Sequence, residues 1–475
     1  MDPSHESDAD NGCAHVGLSA GVLLSNLGLS VVIFTAFMFY HDEMFLRDKG
    51  LCMRLRLRNS TTCRTMLFAS VATSITLGDT WWQWRGPNMD NHAAAGASTP
   101  LRWDLRTGEG VRWKTPIPGR GHSTPIVTDD ALFLTTAEQR DQTQSLIKVD
   151  RETGRLLEKV VLHRGTLPRQ IHPNNSHASP SPVFDGEHVF VSFHTDDSIV
   201  LSKLTSAGRV VWQKRVSQFT PNRYKFGYGA SPIIEGDLVL VAAEYDGEQS
   251  GLYALDIDSG ETIWRLPRSR LNLSFASPAV ATIAGQRMIL LPGEMKIMAI
   301  NPINGKELWA APASTLAICG TVAFDERRAF VSGGFPDAGT WAVSADGMTK
   351  LLWQNSVKCY EQSLLVHRGH VYAIADNGIG YCWRANDGKE MWKARLFRQG
   401  VSASPTLVGN QIYAANESGE VVVFSAIPDR FEKLAAFACG DSIFATPVAV
   451  DDTIYVRTGV GSGPSRQEYL VAAGR

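Results

Sequence analysis

The stretch YALDIDSGETIW, residues 253–264, decides the fold. Tyr253 and Leu255 recur at the period of two that marks one face of a half-buried strand. Ser259-Gly260 is a turn pair, its glycine free to take the positive φ of a tight hairpin, and Ile263-Trp264 begin the return strand. The stretch is therefore a β-hairpin with a bulky aromatic on its second arm. A lone hairpin is marginal in water, so this one must pack against something.

The same spelling recurs. Gly305 and Trp309 (MAINPINGKELW), Gly388 and Trp392 (YCWRANDGKEMW) and Gly208 and Trp212 (SKLTSAGRVVW) keep the four-residue spacing. IKVDRETGRLLE keeps Gly154 but has Glu158 in the tryptophan position, and AVSADGMTKLLW reaches Trp353 two residues late after Gly347. A second marker counts the units. Ser/Thr-Pro pairs open apolar runs at Thr124, Ser181, Ser231, Ser277, Ser404 and Thr446, and Thr321 and Ser363 fill the same role without proline. The eight openings lie 41 to 57 residues apart, the length of a four-stranded propeller blade.

The eighth unit is incomplete. After Thr446 come TPVAV, TIYVRTG and EYLVAAGR, three strands, and then Arg475. At the other end GVRWKTPI (residues 110–117) reads as an orphan fourth strand with Trp113 in the tryptophan role. Pairing it onto the last unit closes the ring and removes both open edges. The expected architecture is all-β: an eight-bladed propeller of four-stranded blades, closed by an N-terminal strand and preceded by a hydrophobic segment. Each blade buries its faces only by stacking on its neighbours, and the tryptophans fill the wedges between them.

The pattern in ALDIDSGETIW and AINPINGKELW resembles the repeat of pyrroloquinoline-quinone-type β-propellers. That superfamily includes quinoprotein alcohol dehydrogenases and the propeller lipoprotein of the outer-membrane β-barrel assembly machinery. The resemblance covers roughly residues 111–475, and WWQWRGPNMDN (81–91) followed by TPIPGRGHSTPIV is similar to the start of a group of exported bacterial propellers. Such a resemblance is specific for fold and open as to activity, because one fold hosts many functions.

Residues 16–40 carry no charge over a length that can span a bilayer, with four acids and no Lys or Arg before them and six Lys or Arg after them up to and including Arg64. Met53 opens a second possibility: MRLRLRNSTTCRTMLFASVATSITLGD has the basic start, short apolar core and small residues of an export signal. Both readings put the propeller outside the cytoplasm, in the cell envelope. The expected organisation is a membrane span or export signal over 1–80, an extended lead-in over 81–109 and the propeller over 110–475. Cys13, Cys52 and Cys63 precede the propeller, and Cys319, Cys359, Cys382 and Cys439 lie within it with no CxxC pair or metal spacing. A formal net charge of −2 gives no nucleic-acid footprint.

In a four-stranded blade the loops that enter the innermost strand gather at one face of the ring, around the channel. Here they hold Arg120, Arg169, Arg223, Lys225, Arg268, Arg270, Lys358 and Arg398, with His122, Asn175, His177 and Tyr228 just before opening strands. Arg120, His122, Asn175, His177, Lys225 and Tyr228 are the candidate ligand residues, a basic funnel suited to a small anion. Loops between second and third strands on that face are acidic (Asp196, Asp197, Glu244, Asp246, Glu248), so the face is mixed, and the competing reading has these side chains only capping strands. The resemblance implies an alternative, a quinone- and Ca-dependent alcohol or sugar dehydrogenase. Those enzymes need a Ca²⁺ cage, an Asp base, a stacking Trp and, in many, a vicinal disulfide. No adjacent cysteines and no six-oxygen set are legible here. The expectation is a non-catalytic binding or scaffold propeller with envelope proteins as partners, no resident cofactor and no metal.

Overall fold

The computed structural model describes residues 80–398 and 400–474, together with strands Phe39–Tyr40, Glu43–Asp48 and Leu51–Leu55, which form a small antiparallel sheet of their own. Most of 16–40 lies outside the described residues. Among the described residues no helix is long and apolar enough to cross a membrane.

From Val111 onward the chain is an eight-bladed propeller of four-stranded antiparallel sheets. The third blade, which contains the opening hairpin, runs Ile233–Glu235, Leu238–Ala243, Gly251–Asp256 and Thr262–Pro267. Its middle strands are buried almost throughout, whereas its outer strand alternates, with Trp264 buried and Arg265 exposed. The eighth blade is built as expected. Val448–Val450, Thr453–Val460 and Gln467–Gly474 are completed by Val111–Ile117, which pairs antiparallel with Gln467–Gly474 in a register that sets Leu470 opposite Thr115 and Ala472 opposite Trp113.

The Gly-x-x-x-Trp spelling is an inter-blade joint. Gly305 takes φ +69°, and a Cβ built there would lie 2.4 Å from the ring of Trp264 on the preceding blade. The Trp264 indole lies flat on that glycine and donates to Pro302 O at 3.0 Å. Trp113 sits on Gly154 and donates to Arg151 O at 3.2 Å, and Trp353 sits on Gly388 and donates to Ala385 O at 2.9 Å. Thus in these joints the glycine of one turn makes room for the tryptophan of the blade before it, which is why the two recur together. Gly347, in the irregular copy, meets nothing within 4 Å, and the Trp309 indole that would cover it has no hydrogen-bond partner.

The Ser/Thr openings form a second joint, a collar around the channel. The backbone N–H of Thr124 donates to Ser181 Oγ, Ser181 to Ser231, Ser231 to Ser277, Thr321 to Ser363, Ser363 to Ser404, Ser404 to Thr446 and Thr446 back to Thr124, at 2.8 to 3.2 Å.

Candidate functional site

The segment preceding the closing strand crosses the ring at the far ends of the innermost strands. Trp81 exchanges backbone hydrogen bonds with Val127 of the first blade, and Trp82 O accepts from Phe184 of the second. Asn91 O accepts from Leu407 of the seventh, and Asp451 O of the eighth accepts from Ser98. Arg85, 1% exposed, donates to Met89 O and to Leu364 O, and burial pulls its guanidinium down to about 10. Trp84 donates its indole N–H to Thr321 Oγ1 of the collar at 2.9 Å. The segment thereby stoppers one end of the channel.

What remains is a cavity of about 370 Å³, with Trp84 among its lining residues and walls contributed by all eight blade junctions. Collar hydroxyls of Thr124, Ser181, Ser231, Ser277, Thr321 and Thr446 ring its base. Phe226, Phe275, Phe335 and Phe444 line the walls, with Tyr224 and Tyr360. His122 stacks on Phe444, ring centres 4.3 Å apart and nearly parallel. Burial and then the charges of Arg120, Arg457 and Arg466 hold His122 well below the usual histidine range, so it is neutral at pH 7. Glu361 keeps accessible surface because it faces the cavity, yet protein encloses it on most sides; burial raises its carboxyl, and Glu417 and Asp376 raise it further. Lys358 also lines the cavity, and its ammonium lies 3.4 Å from Asp376.

The six funnel residues separate into groups. Arg120 and His122 lie together, Arg120 Nη2 being 3.5 Å from His122 Nε2, the outer limit of a hydrogen bond. Arg120 is also close enough that its charge, after burial, lowers His177. His177 and Tyr228 themselves border a separate small pocket with Pro168, Ile171 and His194, and burial raises the Tyr228 hydroxyl. Asn175 lines the main cavity, but its amide is committed: Nδ2 donates to Phe226 O at 2.7 Å, and Oδ1 accepts from Ser176 N and Ser179 Oγ. Lys225 is exposed in a shallow depression with Gln170, Asn222 and Arg223. The structure therefore sets His122 in the cavity wall with Arg120 beside it and leaves Lys225 outside the cavity. The aromatic walls, Trp84 and Cys319 belong to the cavity without having stood out in the sequence. Trp84 had one signal, a tryptophan cluster lying outside the repeat.

A calcium–quinone pair does not fit this donor set. Ca²⁺ takes six to eight oxygens, mostly from carboxylates and carbonyls. Glu361 is the single carboxylate among the cavity-lining residues, and its carboxyl is raised rather than lowered. Among the described residues no group of three or more His, Cys, Asp or Glu is placed to hold a metal.

A family model described as outer membrane protein assembly factor BamB matches residues 142–394 and 341–428, more than half of the chain. Outer membrane protein assembly factor BamB of Bordetella pertussis (strain Tohama I) is 22% identical over 296 residues, covering 58% of this chain and 70% of that protein. The protein of the same name from Yersinia pestis is 25% identical over 225 residues, covering 46% of this chain and 51% of its own. Among solved structures, a europium-containing methanol dehydrogenase superposes with a TM-score of 0.59 at 11% identity, covering 83% of this chain and 98% of its own. BamB from Moraxella catarrhalis superposes at 0.55 with 15% identity, covering 76% and 99%. At such identities the superpositions speak to the fold.

Proposed function

The chain belongs to the propeller family whose model is described as outer membrane protein assembly factor BamB, and from that premise we propose that it is an exported, non-catalytic scaffold of the cell envelope. Its partners are envelope proteins engaged in outer-membrane protein assembly. The family match over 142–428 is the observation that carries the reading. The donor chemistry of the channel supports it, because the single carboxylate among the cavity-lining residues makes no cation cage. The extracytoplasmic placement draws on residues 16–40 or the signal-like stretch from Met53, and the division into 1–80, 81–109 and 110–475 is part of the same proposal.

The face around the cavity mouth suits a protein partner. In the third to fifth blades it exposes Leu271 (56%), Met295 (59%) and Phe335 (41%) beside the charged pair Arg270–Glu248. An apolar centre with a polar rim is the usual anatomy of a transient interface. Cross-linked capture of the tagged full chain from native envelopes tests this. Outer-membrane assembly proteins should be enriched with the native chain and lost with Leu271→Asp/Met295→Asp. Enrichment unaffected by the double variant rules out this face, and no enrichment of assembly proteins rules out the scaffold reading.

The second reading, a quinone-dependent oxidoreductase, is favoured by the superposition on methanol dehydrogenase and by the aromatic-walled channel. Dye-linked turnover with added quinone and Ca²⁺ distinguishes it.

A further inference from the structure

The seam that closes the ring carries more positive charge than its residues balance. Arg457, 2% exposed, donates Nε to Glu468 Oε2 at 3.2 Å and Nη1 to Ser123 Oγ at 3.0 Å and Thr135 O at 2.7 Å. Arg466 donates Nη1 to the other oxygen of Glu468 and Nη2 to Ser442 Oγ. Both carboxylate oxygens are thus engaged, and Arg120 is left with His122 alone as a side-chain neighbour at hydrogen-bonding range. Arg120 Nε and Arg457 Nη2 are buried and have no partner. Three guanidiniums therefore share one carboxylate in a partly dry place, where unpaired charge is costly unless an anion arrives.

The surplus adjoins the cavity through Arg120, which touches His122 and Phe444 of the wall without being among the lining residues itself. The Arg120 guanidinium lies 6.0 Å from the ring centre of Phe444, and Phe444 and His122 both line the cavity wall. Beyond them the walls are aromatic, and the volume of about 370 Å³ is near the lower end of the ~300–1,000 Å³ typical of small-molecule sites. A flat ring can stack among Phe226, Phe275 and Tyr224 while a negative group remains beside Arg120.

We infer that the cavity and the arginine seam form one binding site for an aromatic carboxylate, its ring among the aromatic walls and its carboxylate on Arg120. Two sources carry this chemistry: a free aromatic acid, and an aromatic residue at the free C-terminus of a polypeptide. The site goes beyond the scaffold function, which does not require it.

Titration calorimetry on the full chain with phenylacetate, N-acetylphenylalanine and N-acetylphenylalanine amide tests the inference. Both acids should bind, and the amide should be weaker by about tenfold to a hundredfold, the worth of one hydrogen bond to a charged group. Arg120→Gln should bring the acids down to the level of the amide and leave the amide unchanged, while Tyr224→Ala should weaken all three. Tighter binding of N-acetylphenylalanine supports the site with a chain terminus as its source, and tighter binding of phenylacetate supports it with a free acid. The inference is overturned if the amide binds as tightly as the acids, or if no acid binds at millimolar concentration. Should Arg120→Gln fail to fold, the acid–amide comparison on the native chain still decides.

Discussion

Gly305→Ala tests the joint that builds the ring. An alanine at φ +69° costs about 1–2 kcal/mol for the left-handed backbone. Its Cβ would stand 2.4 Å from the Trp264 ring, so the indole must shift, and overpacking of this kind costs about 1–3 kcal/mol. The shift also breaks the bond from Trp264 to Pro302 O, about 0.5–1.5 kcal/mol. Restricting the unfolded chain returns about 0.4–1 kcal/mol. The expected net loss is about 1.5–6 kcal/mol. Gly347→Ala is the internal control, since it has φ +92° but nothing within 4 Å and should cost only about 1 kcal/mol. Urea denaturation followed by tryptophan fluorescence reads both. Equal losses for the two variants would refute the glycine–tryptophan joint, whatever their size.

Deleting residues 110–117 should leave Gln467–Gly474 with an unpaired edge, lowering the melting temperature and driving association; a monomer of unchanged melting temperature in light scattering contradicts the closure. Trp84→Phe should cost about 0.5–1.5 kcal/mol by removing the N–H that Thr321 accepts, and nothing further in a Thr321→Val background; full additivity in that double-mutant cycle would show that the bond does not matter. Burial holds His194 down to about 4 and His122 well below the ordinary range, so the unfolded chain takes up protons first. Their contribution is complete above about pH 6.5 and is lost as pH falls toward 4. The melting temperature should drop over that interval, and less steeply in His194→Gln; identical pH profiles for native and variant chains would dismiss the buried histidine.

The blades and their closure were legible because each signal is local. A turn glycine, a tryptophan four residues on and a Ser/Thr opening fall within single units, and repetition multiplies them. The three-stranded last unit and the orphan GVRWKTPI pointed to the closing strand pair, whose register, Ala472 opposite Trp113, came from the structure. The cavity was legible only in outline, because eight junction loops each supply a few residues and no spacing links one loop to the next. Residue type alone misled in places: Lys225 and Phe226 are neighbours in an extended loop, yet Phe226 lines the cavity and Lys225 lies outside it. Asn175 looked free to bind a ligand, but its amide holds the loop to Phe226 O. Arg457 and Arg466 come from the last blade and meet Arg120 only because the ring closes there.

The proposed function is that of a propeller that binds without catalysing. Its most direct test is dye-linked oxidation of primary alcohols and aldose sugars by the purified full chain, preincubated with pyrroloquinoline quinone and Ca²⁺, with Glu361→Gln run in parallel. No dye reduction above a protein-free control and no difference between the two proteins are expected. Turnover that depends on quinone, Ca²⁺ and Glu361 would contradict the non-catalytic function.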